Sequence, residues 1–275
     1  MKNAFLKNIV IWMVLAITGV SFSPSIYALE MMDPTQIKTG QLEISDFKYT
    51  VHMYVPETYT PGQAYPLLAL IEGSKSAKEL VEAWAGFAKR KGMIVFATDL
   101  DVAQVRDVPL NADQFLFSVI EEIGKRYRIS KERTYLIGQN IGAHYASYVG
   151  VNHPQHFAGV ALLDGSWVGA LDKALQITHQ SNKQIPFFVS YHKALGKDAI
   201  AAAEAKAVLL TQKGYPVYFE KVEDVTDFSS LDFRKRVITW LDEKSENWAR
   251  VAKQSKKSPK QAIKDWFHEF VTIKN

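Results

Sequence analysis

Gly138-Gln139-Asn140-Ile141-Gly142 carries the strongest chemical signal in this chain. A short apolar run, Thr134 to Ile137, leads into it, and a helical stretch follows. A strand, a sharp turn and a helix, with glycines flanking the turn's centre, can expose one side chain at the edge of a sheet. In the form Gly-x-Ser-x-Gly the exposed group is a serine oxygen, activated by a base for attack on a carbonyl carbon. Here the central residue is Asn140. Its amide nitrogen is delocalised into the carbonyl and is a poor nucleophile. The turn tolerates it, because asparagine adopts positive φ more readily than most residues with a side chain.

The elements that must hold this turn alternate along the chain. Tyr49, Val51, Met53 and Val55 alternate with polar residues, as a half-buried antiparallel strand should, and Leu42 and Ile44 begin its partner. Pro66 to Ile71 is a continuous apolar run, fitting a central parallel strand. Ala77 to Lys91 has helical spacing, with Leu80, Trp84 and Phe87 on one face, and Met93 to Ala97 is a further buried strand. Asn111 and Gln114 have the spacing of a capping box for a helix running to Ile123. Further pairs are 134–137 with 141–152, 160–163 with 171–178, 185–191 with 199–213, and 215–222 with 231–244. Repeated strand–helix units predict an α/β fold, a mostly parallel sheet of about eight strands with helices on both faces. Ligands of such sheets bind beyond the carboxyl ends of the strands.

The first 28 residues read as an export signal. Lys2 and Lys7 form a basic start, Ile9 to Val20 is an apolar stretch of 12 residues, and Ser21 to Ala28 is small and polar. The stretch falls short of the ~20 residues of a membrane span. The expected organisation is a signal peptide over 1–28, one α/β domain over 29–244, and a basic helical extension over 245–275. Cleavage near Ala28 predicts a secreted or periplasmic protein that is not integral to a membrane. Lys2 and Lys7 account for two of the formal +4 charges, leaving +2, too little to suggest nucleic acid. The absence of cysteine excludes disulfides, thiol chemistry and thiolate metal sites. In the extension, Ile263, Trp266, Phe267 and Phe270 form a helical stripe among Lys253, Lys256, Lys257, Lys260 and Lys264. That pattern suits a helix packed on its own domain, or a contact with a partner or anionic surface.

The stretches YTVHMYVP (49–56), YPLLALIEG (65–73), RTYLIGQNIG (133–142) and HPQHFAGV (153–160) resemble the α/β-hydrolase superfamily. They are most similar to secreted polyhydroxybutyrate-depolymerase and feruloyl-esterase-like carboxylesterases. The resemblance spans roughly 42–244. It implies the α/β-hydrolase fold, with a serine at the nucleophile elbow, an acid later in the chain and a histidine after the last strand. It also implies hydrolysis of esters of hydroxyacids or aromatic acids, provided that those residues are present.

They are not. Asn140 occupies the elbow. The loop expected to carry the base, Glu223 to Phe228, includes Thr226 and Asp227 at the family's position and has no histidine. His192 falls where the acid is expected, with Asp198 nearby as a possible acid. The oxyanion loop, commonly His-Gly in the relatives, is Glu72-Gly73. The sequence therefore predicts a secreted, catalytically inactive α/β-hydrolase-fold protein that binds a ligand or protein partner. The alternative is an ester hydrolase with a rearranged site. There Ser74, Ser76, Ser166 or Ser190 would serve as nucleophile and His144 or His192 as base. Candidate ligand contacts are Glu72, Gly73, Asn140, Ile141, Trp167, His192 and Asp227, with Tyr191 and Phe228 as further aromatic contacts. The acids Glu72, Asp99, Asp101, Asp164, Glu223, Asp224 and Asp227 fall at predicted carboxyl ends of strands. They would suit a cation, but read more simply as solvated loop acids. His144, His153 and His156 read as structural. No cofactor or metal-ligand spacing is present.

Overall fold

The structure is a computed structural model that describes residues 37–44, 50–72, 75–98, 112–165 and 183–254. Those residues form an eight-stranded sheet: β1 (Gly40–Ile44), β2 (Val51–Val55), β3 (Tyr65–Glu72), β4 (Ile94–Thr98), β5 (Ile129–Gln139), β6 (Gly159–Leu163), β7 (Phe187–His192) and β8 (Val217–Val222). The order across the sheet is β1-β2-β4-β3-β5-β6-β7-β8. The β1–β2 and β2–β4 pairs are antiparallel, and all the others are parallel. This is the α/β arrangement expected from the sequence.

The helices follow from local signals. α1 (Ala77–Lys91) begins at Ser76, whose hydroxyl accepts the Glu79 N–H while the Glu79 carboxylate accepts the Ser76 N–H. This reciprocal pair satisfies two donors that a helix start otherwise leaves open. α1 ends in Lys89, Arg90 and Lys91, whose charges favour the negative end of the helix dipole. α2 (Ala112–Arg126), α3 (Ile141–Asn152), α4 (Lys197–Gln212) and α5 (Leu231–Gln254) follow in order. α5 runs on past Lys244, so the expected boundary at 244–245 falls inside a continuous helix. The residues expected to form the signal peptide, the 171–178 helix and the aromatic stripe after 262 lie outside the described residues.

Strand pleating sorts the core onto two faces. Leu68, Leu70, Tyr135, Ile137 and Phe188 share one face with Trp84 and Phe87 of α1 and with Phe233, Val237 and Leu241 of α5. Gly138, Val160 and Phe187 point the other way, toward α3. α3 is buried nearly all round, as a helix pressed against the centre of the sheet should be.

Two polar ties fix α5. The Asp242 carboxylate accepts two bonds from the Arg133 guanidinium, at 3.1 and 3.0 Å, and a short one from the Tyr135 hydroxyl. Arg234 is only 7% exposed; its guanidinium lies 4.4 Å from the Trp84 ring and donates to the carbonyls of Phe228 and Ala83. Burial pushes its pKa down to about 10. Arg234 thereby couples the segment after β8 to α1.

Gly138 sets how closely α3 approaches β5. A Cβ there would lie 2.5 Å from the Gly142 carbonyl oxygen and 2.7 Å from the Ala146 Cβ. Gly138→Ala is expected to lower the unfolding free energy by about 1–3 kcal/mol, the usual range for overpacking a dense core. Urea denaturation of the protein measures this; an unchanged midpoint and slope would show that α3 can move aside without loss.

Candidate functional site

Three adjacent strands end in register. Gln139 of β5 pairs with Leu163 of β6, and Leu163 pairs with Ser190 of β7. The residues that follow, Asn140 and Asp164, together with His192 at the end of β7, therefore meet at one carboxyl edge. The Asn140 N–H donates to the Leu163 carbonyl at 2.8 Å, and the Asp164 N–H donates to the Ser190 carbonyl at 2.9 Å. These two bonds lock the strand ends together.

Asn140 and Asp164 are the two non-glycine residues at positive φ among the described residues, with φ of 52° and 56°. Backbone strain of this kind costs on the order of 1–3 kcal/mol and gathers at functional sites. At Asn140 ψ is −121°. That lies far from the left-handed helical region near ψ +47°, where asparagine is tolerated. Positive φ with strongly negative ψ suits glycine best, as in the first central residue of a type II′ turn. Turn geometry alone is therefore a weak reason for asparagine here.

Gly165 lets the edge close. A Cβ on it would lie 2.4 Å from the Asn140 carbonyl oxygen, 2.8 Å from the Ala143 Cβ and 3.3 Å from His144 Cε1. His144, half-buried on α3, thus lies beside the strand ends.

The main electrostatic feature is the pairing of Asp164 with His192. Asp164 Oδ1 accepts the His192 backbone N–H at 2.9 Å, and Oδ2 lies 2.7 Å from His192 Nδ1. The Asp164 side chain is 1% exposed and that of His192 16%. Burial raises the Asp164 pKa, and the two bonds from His192 oppose that rise. With Nδ1 turned to a carboxylate, Nδ1–H is the favoured tautomer and Nε2 is left as an acceptor. Nε2 has no hydrogen-bond partner among the described residues. This His–carboxylate arrangement is that of a base and its orienting group.

The loop after β8 is built differently. The Asp227 carboxylate accepts the N–H groups of Glu223 and Asp224, each at 3.1 Å, and Asp224 accepts the Thr226 N–H and hydroxyl, each at 2.8 Å. These bonds from Thr226 lower the Asp224 pKa, with His192 contributing through charge. The position expected to hold a triad histidine is thus a short turn of acids satisfying its own backbone. Asp198 is exposed in the first turn of α4, where its charge suits the helix N-terminus.

The other candidates sort as follows. Ile141 opens α3 and is 44% exposed. Glu72 ends β3 opposite Gln139. Gly73, Ser74, Asp99, Asp101, Ser166 and Trp167 lie outside the described residues. Ser76 is committed to capping α1, and the Ser190 hydroxyl is fully buried with no partner among the described residues, so neither is presented as a nucleophile. Tyr191 and Phe228 pack in the core. His156 stacks on Phe117 at 3.9 Å, and burial lowers its pKa. Among the described residues no group of three or more His, Asp or Glu could hold a metal ion, and no helix is long and apolar enough to cross a membrane. Sequence reasoning placed Asp164 and His192 separately and missed their pairing. The available signal was that each directly ends an apolar strand run, on strands consecutive in the chain.

The strand order and the strand–turn–helix elbow are those of the α/β-hydrolase fold. Solved structures agree. An S-formylglutathione hydrolase from Staphylococcus aureus superposes with a TM-score of 0.58 at 15% identity, covering 74% of this chain and 97% of that one. A thermostable esterase gives 0.56 at 15%, covering 74% and 62%. A feruloyl esterase module from Clostridium thermocellum, complexed with sinapinate, gives 0.53 at 15%, covering 77% and 89%. No protein-family model matches the chain, and no curated protein matches it significantly in sequence.

Asn140→Gly should raise stability by about 1 kcal/mol by relieving the backbone at φ 52° and ψ −121°. Chemical denaturation tests this. A loss of stability would show that the Asn140 side chain supplies more than the strain removes.

Proposed function

We propose that this protein binds a small acyl compound, an ester or its acid, at the carboxyl ends of β5, β6 and β7, and does so without covalent serine catalysis. The observation that carries the reading is Asn140 at the elbow, in a conformation that presents a side chain but no nucleophile. The self-capped acidic turn at Glu223–Ser229 supports it, since the family's base position offers no imidazole. The esterase-like fold supports the choice of ligand class, and sinapinate in a structural neighbour supplies a probe. Export to the periplasm or beyond belongs to the same reading and rests on the leader at Lys2–Ala28. A protein partner at the basic C-terminal segment is compatible with it.

A second reading, ester hydrolysis at a rearranged site, is favoured by one observation. The Asp164–His192 pair supplies an oriented imidazole that sequence reasoning had not assembled.

The covalent route can be tested by restoring the serine. Asn140→Ser should give no burst of nitrophenolate from p-nitrophenyl butyrate in stopped-flow measurements, because no base stands at the family's position to activate it. A burst equal to the enzyme concentration would overturn the reading. Binding can be tested by titrating sinapinate into isotope-labelled protein. Amide shifts at Asn140, Gly165 and His192 are expected; shifts confined to other regions would remove this edge as the site.

A further inference from the structure

We propose that Asp164 and His192 form a displaced proton-transfer pair that directs a water molecule onto the bound acyl compound, hydrolysing it without an acyl-enzyme. The inference rests on this strand edge being the acyl-compound site. It goes further by assigning His192 as the catalytic base and Asp164 as its positioning residue.

Four observations converge on this pair. The Asp164 side chain is 1% exposed and takes both the backbone N–H and the ring of the same residue, so the carboxylate fixes the orientation of that imidazole. Asp164 adopts positive φ to do so, and the only other described non-glycine residue in that state is Asn140, at the end of the adjacent strand. Such strain persists only where surrounding structure enforces it. Gly165 is excluded from carrying a side chain by Asn140 and Ala143, which keeps the ends of β5 and β6 in contact. Finally, the pair spans the ends of β6 and β7, with His192 in register beside Val222, the residue before the Glu223–Ser229 turn.

The chemistry balances with water as the only co-reactant. His192 Nε2 takes a proton from water as the water oxygen bonds to the acyl carbon, and the carbonyl π electrons move onto oxygen. Asp164 steadies the imidazolium. The tetrahedral intermediate collapses, the bond to the alkoxy oxygen breaks, and Nε2–H returns its proton to the departing alcohol. One water is consumed, and an acid and an alcohol are released. Ile141, at the first turn of α3, has an N–H that the helix leaves without an intrahelical partner, and it stands at the same edge for the developing oxyanion. General acid–base catalysis contributes about 10²–10⁴-fold, so slow turnover is expected.

The test uses the mature full-length protein with p-nitrophenyl acetate. Wild type should show saturable hydrolysis above buffer, slower in D2O, with no burst. His192→Gln should lower kcat/KM on the order of a hundredfold, while His52→Gln, on β2, should match wild type. Asp164→Asn should lower kcat with KM held. In the wild type, nitrogen–proton NMR correlations should show His192 as the Nδ1–H tautomer, and Asp164→Asn should abolish that signature. The NMR measurement on the wild type needs no variant to fold. Wild-type rates in His192→Gln, or an Nε2–H tautomer in the wild type, would overturn the proposal. Absence of turnover with sinapinate still bound would overturn it and leave the binding reading standing. Absence of both would remove the two together.

Discussion

The reversal at Asn140 is the constraint on which the rest depends. β5 must stop, and α3 must start, within one residue, and α3 must then lie almost in contact with the strand it has just left. Gly138 makes that approach possible by offering no Cβ to Gly142 and Ala146. Asn140 absorbs the change in direction at φ 52° and ψ −121°. Gly165 lets the end of β6 close against the same turn. Because β5, β6 and β7 run in parallel register, positioning one strand end positions the next. Packing and backbone bonds thus place this edge, as a preorganised site requires.

On that edge the charges are distributed with a consistent logic. A carboxylate held 1% exposed would be costly alone. Asp164 is tolerable because His192 gives it two hydrogen bonds from one residue. Asp224 and Asp227, by contrast, are used to satisfy backbone donors in an exposed turn. That turn is anchored from beneath by Arg234, whose guanidinium reaches the Phe228 and Ala83 carbonyls while lying against Trp84. The turn after β8 satisfies its own backbone, and the carboxylate-paired imidazole of this edge belongs to β7.

Most of the fold was legible in the sequence. Buried runs such as Pro66–Ile71 and the Ser76–Glu79 cap leave local marks, and local marks suffice for strands, helices and their alternation. The elbow was legible for the same reason, and so was the lack of serine and of a histidine in Glu223–Phe228. The Asp164–His192 bond was not, because it joins residues 28 positions apart in the sequence and depends on β6 and β7 being neighbours. Nor could sequence give ψ at Asn140, which separates a tolerant left-handed residue from a strained one. The length of α5 was underestimated because Ser245 and Asn247 interrupt the apolar pattern without breaking the helix.

The central claim is that the α/β-hydrolase fold is present here without a nucleophilic serine at the carboxyl edge of its sheet. Intact-mass spectrometry after treatment of the protein with a fluorophosphonate tests this most directly, since such reagents phosphonylate activated serines. The account predicts an unmodified mass after prolonged exposure. A stoichiometric adduct mapping to a serine at the carboxyl edge of the sheet would contradict it.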